Sequence, residues 1–187
     1  MVAAKLKLIA IVGETASGKS DLALKIAKSY RGEIIQADSW TVYRGFDIGT
    51  GKPTTTQQKA VKHHLIDVRE PSEGFNAPLF KEMAEKALAE IRGQGKLPIL
   101  AGGTGLYIDS LLYDFGFLPN SDEREWLDNL SLEELLKLAA SRKIDLDGVD
   151  TRNKRRVIRA IEAGGQKPGK GALRAGALIV GLKLDND

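Results

Sequence analysis

The chain has 187 residues, no cysteine and a net charge of +3, with 42% hydrophobic and 28% charged residues. Such a chain is long enough for one domain of ordinary size with a small insertion, and its composition is that of a globular protein. It excludes a disulfide framework, a cysteine metal site and a cysteine nucleophile; it fits a reducing, cytoplasmic setting, and no apolar run approaches a membrane span, so no membrane partner is expected.

Residues 1–5 run directly into an apolar stretch, so no secretory leader is expected. Residues 6–12, Leu-Lys-Leu-Ile-Ala-Ile-Val, predict a buried strand. Residues 13–20 then read Gly-Glu-Thr-Ala-Ser-Gly-Lys-Ser, the G-x-x-x-x-G-K-S pattern of a phosphate-cradling P-loop, and residues 21–27 predict a helix. Strand, loop and helix stand in the order that the motif requires. A chain curling round a phosphate must aim several backbone N–H groups at one point. Gly13 and Gly18 allow the necessary dihedrals, and the helix that follows offers its free N–H groups and dipole to the anion. Gly13, Thr15, Ala16, Ser17, Gly18, Lys19 and Ser20 are therefore the candidate diphosphate or nucleotide cradle. Lys19 supplies a mobile positive charge and the Ser20 hydroxyl a ligand for Mg²⁺.

Gly32 is expected to cap that helix, and residues 33–37 predict a second strand ending at Asp38 and Ser39. Ligands of open α/β sheets bind outside the carboxyl ends of strands, which puts Asp38 at the P-loop edge. A carboxylate there serves as a Mg²⁺ ligand or a general base, or only closes a turn. Residues 45–58, rich in Gly, Thr, Lys and Pro, predict a loop, and residues 64–68 a short strand. His63 and His64 have no partners at metal-ligand spacing, which favours a structural or substrate-proximal role.

Asn76 is a candidate N-cap for a helix over 77–93, with Leu79, Met83, Ala87 and Ile91 as its core face and Gly93 and Gly95 at its end. Residues 98–101 predict a strand, 102–105 a second Gly-rich turn, and 106–112 a helix that Thr104 either caps or leaves for function. Ser131-Leu132-Glu133-Glu134 has the form of a capping box opening a helix to 141. A further helix is predicted over 152–163, a mobile Gly/Lys-rich segment over 164–176, and a last strand over 177–182.

Alternating strands and helices predict an α/β fold: a P-loop NTPase-like, three-layer parallel sheet built from 1–118 and 151–187, with a small helical insertion at 119–150. The insertion leans acidic. Residues 151–174 carry Arg152, Lys154, Arg155, Arg156, Arg159, Lys167, Lys170 and Arg174 against Glu162 alone. That block suits a polyanion such as RNA, or a diphosphate, and equally a solvated helix face with a basic loop; its helix arginines equally suit pairing with the acidic insertion.

The segments GETASGKS (13–20), DSWTVYRGFDIGTGKPT (38–54), HHLIDVREPSEGFNAPLF (63–80), GKLPILAGGTGLYIDSLL (95–112) and TRNKRRVIRAIE (151–162) resemble, in order and spacing, the tRNA dimethylallyltransferase (tRNA isopentenyltransferase) family, and IVGLKLD (179–185) resembles the strand leading into its last helical part. The resemblance implies transfer of a dimethylallyl group from its diphosphate to N6 of the adenosine 3′ of the anticodon. The P-loop would hold the prenyl donor's diphosphate, with Mg²⁺ as cofactor and the tRNA anticodon stem-loop as partner. ATP binding would follow from the loop alone. By the same resemblance Asp38 is the base, Thr104 contacts the diphosphate or the target nucleotide, and Thr15 lies near the donor. Ser39, Trp40, Thr41 and Arg124 are expected to contact tRNA, and Arg155, Arg156 and Arg159 are candidates for its phosphates or for pairing with the acidic insertion. A monomer is expected.

Glu14 stands where the family has Pro, Thr41 where it has Gln, and Trp126, with Arg124 nearby, where an Arg follows a Leu-Pro pair. The chain is shorter than the family pattern at its C-terminal end, which normally carries another diphosphate-contacting Arg and much of the tRNA-gripping surface. Three alternatives stay open at this point: prenylation of free adenine nucleotides, a P-loop small-molecule kinase, and a non-catalytic tRNA or diphosphate binder.

Overall fold

A computed structural model describes residues 6–113, 115–117, 121–166 and 169–183. The leader expectation at 1–5, the Leu-Pro pair at 118–119, Lys167 and the end of the closing resemblance at 184–185 lie outside them. The chain forms two compact units, one of Met1–Phe115 with Gly171–Asp187, the other of Gly116–Lys170.

The first unit is built on a parallel sheet of β1 (Leu8–Gly13), β2 (Gly32–Ala37), β3 (His63–His64), β4 (Leu97–Gly102) and β5 (Ala177–Leu182), in the order β3-β2-β4-β1-β5. The central strands are apolar on both faces, as parallel strands covered on both sides must be. Ile9, Ile11, Ile34, Ile99 and Ala101 pack with Ala23, Leu24 and Ala27 of α1 (Lys19–Tyr30). Their neighbours Leu8, Ala10, Ile35 and Leu100 point to the opposite face and are fully buried as well. The amphipathic α3 (Ala77–Gly93) packs on β2 and β4, and α4 (Gly105–Leu112) packs on α3. Phe80 of α3 stacks on Tyr107 of α4 with ring centroids 4.5 Å apart. This is the three-layer α/β fold that the alternation predicted.

The details differ in instructive ways. Arg31, not Gly32, takes the left-handed cap of α1 (φ 52°), and Gly32 already belongs to β2. The predicted loop 45–58 contains a helix, α2 (Thr55–Ala60), closed by a reciprocal capping box between Thr54 and Gln57. The predicted strand 64–68 shrinks to β3, because Leu65 and Asp67 adopt positive φ and break the ladder. On α3 the buried face runs through Phe80, Ala84, Ala87, Leu88 and Ile91, one step round from the predicted stripe. Asn76 caps that helix as expected, its side chain accepting from the Leu79 N–H at 3.0 Å.

The second unit holds α5 (Arg124–Asn129), α6 (Leu132–Ser141) and α7 (Lys154–Glu162). Its core is Leu127, Leu135, Ala139, Val157, Ile158 and Ile161. The helical unit is therefore larger than the 119–150 insertion expected from the sequence. The apolar stripe of α7 packs on α5 and α6 rather than in the α/β core. The predicted Ser131 capping box is present, with Glu134 closing it.

Candidate active site

The site follows from sheet register. Gly102 at the end of β4 is level with Val12 of β1 on one side and Ala37 of β2 on the other. Three chain segments therefore leave the sheet together, at its carboxyl edge: the P-loop after β1, Asp38-Ser39 after β2, and the 103–105 turn after β4. The approach is close. A Cβ on Gly102 would sit 2.1 Å from the Ala37 carbonyl oxygen, so no other residue fits there without moving backbone. Thr104 adds two links across the gap: its N–H donates to the Ala37 carbonyl at 3.2 Å, and its Oγ1 accepts from the Ser39 N–H at 3.1 Å. Thr104 occupies the N-cap position of α4 but makes no side-chain cap bond, so its hydroxyl braces the β2 exit instead.

The P-loop has the shape of an anion cradle. Gly18 precedes α1 at φ 84°, and no side chain caps the helix, leaving its first N–H groups free for a ligand. The Ser17 hydroxyl is buried with no partner among the described residues. Lys19 donates from Nζ to the Glu14 carbonyl. Partial burial pulls the Lys19 ammonium below the ordinary lysine range, while the charges of Asp38 and Glu14 oppose that shift.

Asp38 is half-buried. Its Oδ1 accepts from the Trp40 N–H at 2.8 Å and the Thr41 N–H at 3.3 Å, closing a turn. One carboxylate oxygen thus fixes the side chain, and no hydrogen bond to Oδ2 is found among the described residues. A cleft of about 100 Å³ is lined by Thr15, Ala16, Lys19, Ser20, Gln36, Asp38, Thr50, Gly51, Gly102 and Gly103. Asp38 is the one carboxylate among these described lining residues.

Thr50, Gly51 and Lys52 fall within the loop predicted over 45–58. The Lys52 ammonium is nearly inaccessible and donates to the Tyr43 carbonyl (2.9 Å), Asp47 (2.7 Å) and Asp67 (2.6 Å). Burial alone lowers its pKa, but the bonds to Asp47 and Asp67 outweigh it and raise the value. Thr50 Oγ1 donates to the Phe46 carbonyl at 2.6 Å. These bonds pin the segment that lines the cleft. Nothing local in the sequence signals them, since Lys52 meets acids five and fifteen positions away only after folding.

The predicted RNA contacts separate into distinct groups. Trp40 is exposed and Ser39 half-buried. Thr41 is fully buried, its hydroxyl without a partner among the described residues, because the turn closed by Asp38 and the bond from the Asp67 N–H to its carbonyl fold it inward. Thr41 is therefore removed from any surface that RNA can touch. In the helical unit, Arg124 and Arg159 both donate to the buried carboxylate of Glu162, at 3.1 and 3.2 Å. Arg155 and Arg156 are exposed and make no ion pair among the described residues. Of the basic block's arginines, Arg159 thus pairs within the block itself, at Glu162, and Arg152 pairs with Asp150 of the predicted insertion at 3.3 Å, which leaves the polyanion reading to Arg155 and Arg156.

His63 and His64 have structural partners. His64 Nε2 lies 2.7 Å from buried Glu33, which also holds Lys96, and His63 Nδ1 lies 2.8 Å from the Val61 carbonyl. Burial lowers the pKa of His63. No group of three or more His, Cys, Asp or Glu suited to a metal occurs among the described residues, and no described helix is long and apolar enough to cross a membrane.

Comparison with known proteins gives one consistent result. The chain is 45% identical over 168 residues to a tRNA dimethylallyltransferase of Staphylococcus epidermidis, covering 83% of this chain and 50% of that one. It is 40% identical over 200 residues to the enzyme of that name from Bacillus velezensis, covering 98% of this chain and 64% of the relative. Among solved structures it resembles the full-length tRNA isopentenylpyrophosphate transferase of Bacillus halodurans, with a TM-score of 0.58 and 40% identity over 84% of this chain and 55% of that one. It also resembles a eukaryotic dimethylallyltransferase solved acting on tRNA, with a TM-score of 0.73 and 25% identity over 94% of this chain and 48% of that one. The chain spans about half the length of most of the curated relatives that it matches. The IPP transferase family model matches residues 41–174, from the turn closed by Asp38 through the helical unit, and this chain belongs to that family.

Proposed function

We propose that the chain transfers a dimethylallyl group from dimethylallyl diphosphate to N6 of the adenosine 3′ of the anticodon in tRNA. The observation that carries this reading is that Lys19 and Ser20 of an anion cradle line the same cleft as a carboxylate fixed by two backbone N–H groups. The relatives' names supply the substrate class.

In this mechanism the carbon–oxygen bond of the donor breaks and its electron pair leaves with diphosphate. The free N–H groups at the start of α1, the Ser17 hydroxyl and the Lys19 ammonium stabilise the charge as it grows on the leaving oxygen. The adenine amine is a poor nucleophile because its lone pair is delocalised into the ring. Asp38 Oδ2 accepts an N6 proton as the nitrogen–carbon bond forms. The target base must leave its stack to enter the cleft. The residues present suit magnesium: the Ser20 hydroxyl, a hard oxygen donor that lines the cleft, would hold the ion together with the donor's diphosphate. When bound, the ion supplies further positive charge at the leaving group. Arg155 and Arg156 are the cations we assign to tRNA phosphates. A cytoplasmic setting follows from a tRNA substrate.

Mass spectrometry of tRNA incubated with this chain, Mg²⁺ and dimethylallyl diphosphate tests the reading. A mass increase of one dimethylallyl group on the nucleoside next to the anticodon is expected. Steady ATP hydrolysis without prenyl transfer would overturn it, as would modification of free adenine nucleotides in preference to tRNA.

A further inference from the structure

Gln36 is a polar residue inside the sheet that the mechanism above does not use. It is 7% exposed, and no hydrogen bond of its carboxamide is found among the described residues. Buried polar side chains are ordinarily paired, and an unpaired one calls for a physical reason. Folding gives none, because an apolar side chain of the same length would fill this place without leaving a donor and an acceptor unmet.

Its position supplies a reason. Gln36 is the last residue but one of β2 and stands two positions before Asp38. Successive side chains alternate across a strand, so Gln36 shares the face of Ile34, which packs with Ala23, Leu24 and Ala27 of α1. It is level with Ala101 of β4, which is level in turn with Ile11 of β1. Ala101 carries only a methyl group there, and Gln36 lines one cleft with Lys19, Ser20 and Asp38. Among the described lining residues, Lys19 and Gln36 alone carry side-chain N–H groups. A prenyl diphosphate in this cleft must point its reacting carbon at the amine beside Asp38. That turns the carbon-bearing phosphate toward the end of β2 and leaves the terminal phosphate in the P-loop at the end of β1.

We propose that Gln36 donates from Nε2 to the carbon-bearing phosphate, a role that rests on the prenyl-transfer reading and adds to it the group that makes the cleft a site for a diphosphate rather than for a single phosphate. A neutral donor suits this place. A second ammonium beside Asp38 would hold the carboxylate in its charged form and weaken it as a base, whereas an amide meets the anion without doing so. The bond strengthens as negative charge grows on the departing group.

Calorimetric titration of the full chain with inorganic diphosphate and, separately, with inorganic phosphate, each with and without Mg²⁺, tests this role. Gln36→Met keeps the length of the side chain and removes the donor. It should raise the diphosphate dissociation constant about tenfold, leave the phosphate dissociation constant unchanged and not lower the melting temperature of the unligated chain. Gln36→Leu gives a second apolar reading with the same expectation. Gln36→Glu should weaken diphosphate binding further than Gln36→Met does, because a carboxylate then faces the anion. A diphosphate dissociation constant equal to the parent's in both apolar variants overturns the role. So do equal rises for phosphate and diphosphate, which mark a distorted cradle, and tighter binding of magnesium diphosphate by Gln36→Glu, which marks an oxygen that serves the metal. A parent chain that binds diphosphate no more tightly than phosphate overturns it as well. Absence of prenyl transfer in a parent chain that shows the expected dissociation constants removes the function reading and leaves the diphosphate role of Gln36 standing.

Discussion

At the scale of single residues, the decisive feature is a division of labour within one carboxylate. Oδ1 of Asp38 is committed to two backbone N–H groups, and in the proposed mechanism Oδ2 is the proton acceptor. Asp38→Asn keeps an oxygen for the turn but cannot accept a proton. It should lower the rate of transfer by about 10²- to 10⁴-fold with an unchanged melting temperature. Equal rates for the two proteins would remove Asp38 from the reaction. Lys19 gives a pH signature. Its pKa lies below the ordinary lysine value, mainly through burial, so in the free protein it loses its proton at lower pH than a solvated lysine does. Affinity for inorganic diphosphate should therefore be full at neutral pH and fall as pH rises, with a midpoint below 10.5. Lys19→Arg should move that fall to higher pH in a calorimetric titration.

At the scale of elements, the site depends on how closely the ends of β2 and β4 approach. Gly102→Ala forces a methyl group against the Ala37 backbone and should cost about 3 kcal/mol, read from urea unfolding. Because the same strain parts Asp38 from the P-loop, activity should fall further than stability accounts for. Thr104→Val removes the acceptor for the Ser39 N–H while keeping the shape, so it should cost about 1 kcal/mol and loosen the β2 exit. Thr104→Ser should restore it.

At the scale of the whole molecule, Glu33 is a buried group through which pH acts on folding. It is buried in β2 and contacted by Lys96, His64 and, more distantly, Lys62. Burial by itself would raise its pKa, but the hydrogen bonds from Lys96 and His64 prevail and lower it. A carboxylate whose folded pKa is depressed contributes stability that is present above the unfolded value, near 4.5, and is lost as pH falls through the folded value. Glu33→Gln should therefore be less stable than the parent at neutral pH, and the gap should narrow in acid, as read from melting temperature against pH. A gap of constant size would show that the loss came from packing alone.

The outline of the fold and much of the site were legible in the chain because they are local. The P-loop carries its strand before it and its helix after it, the central strands announce themselves as apolar runs, and Asn76 and Ser131 mark helix starts through bonds spanning three residues. The residue pattern also carried the resemblance on which the family rests. Less local matters escaped. The α7 stripe is equally apolar whichever core receives it, so only packing could assign it to Leu127 and Leu135. Thr41 reads as a surface polar residue, yet a turn fixed from Asp38 and Asp67 buries it. Arg124 and Arg159 are alike in sequence to Arg155 and Arg156, and a single buried carboxylate, Glu162, separates them. By itself the sequence determined the Gly-rich turn between β1 and α1, the α/β layering and the place of Asp38 just after β2. The tertiary structure alone decided which charges are neutralised, which polar groups are buried and which apolar ones are displayed, because burial and ion pairing depend on distances between residues far apart in the chain.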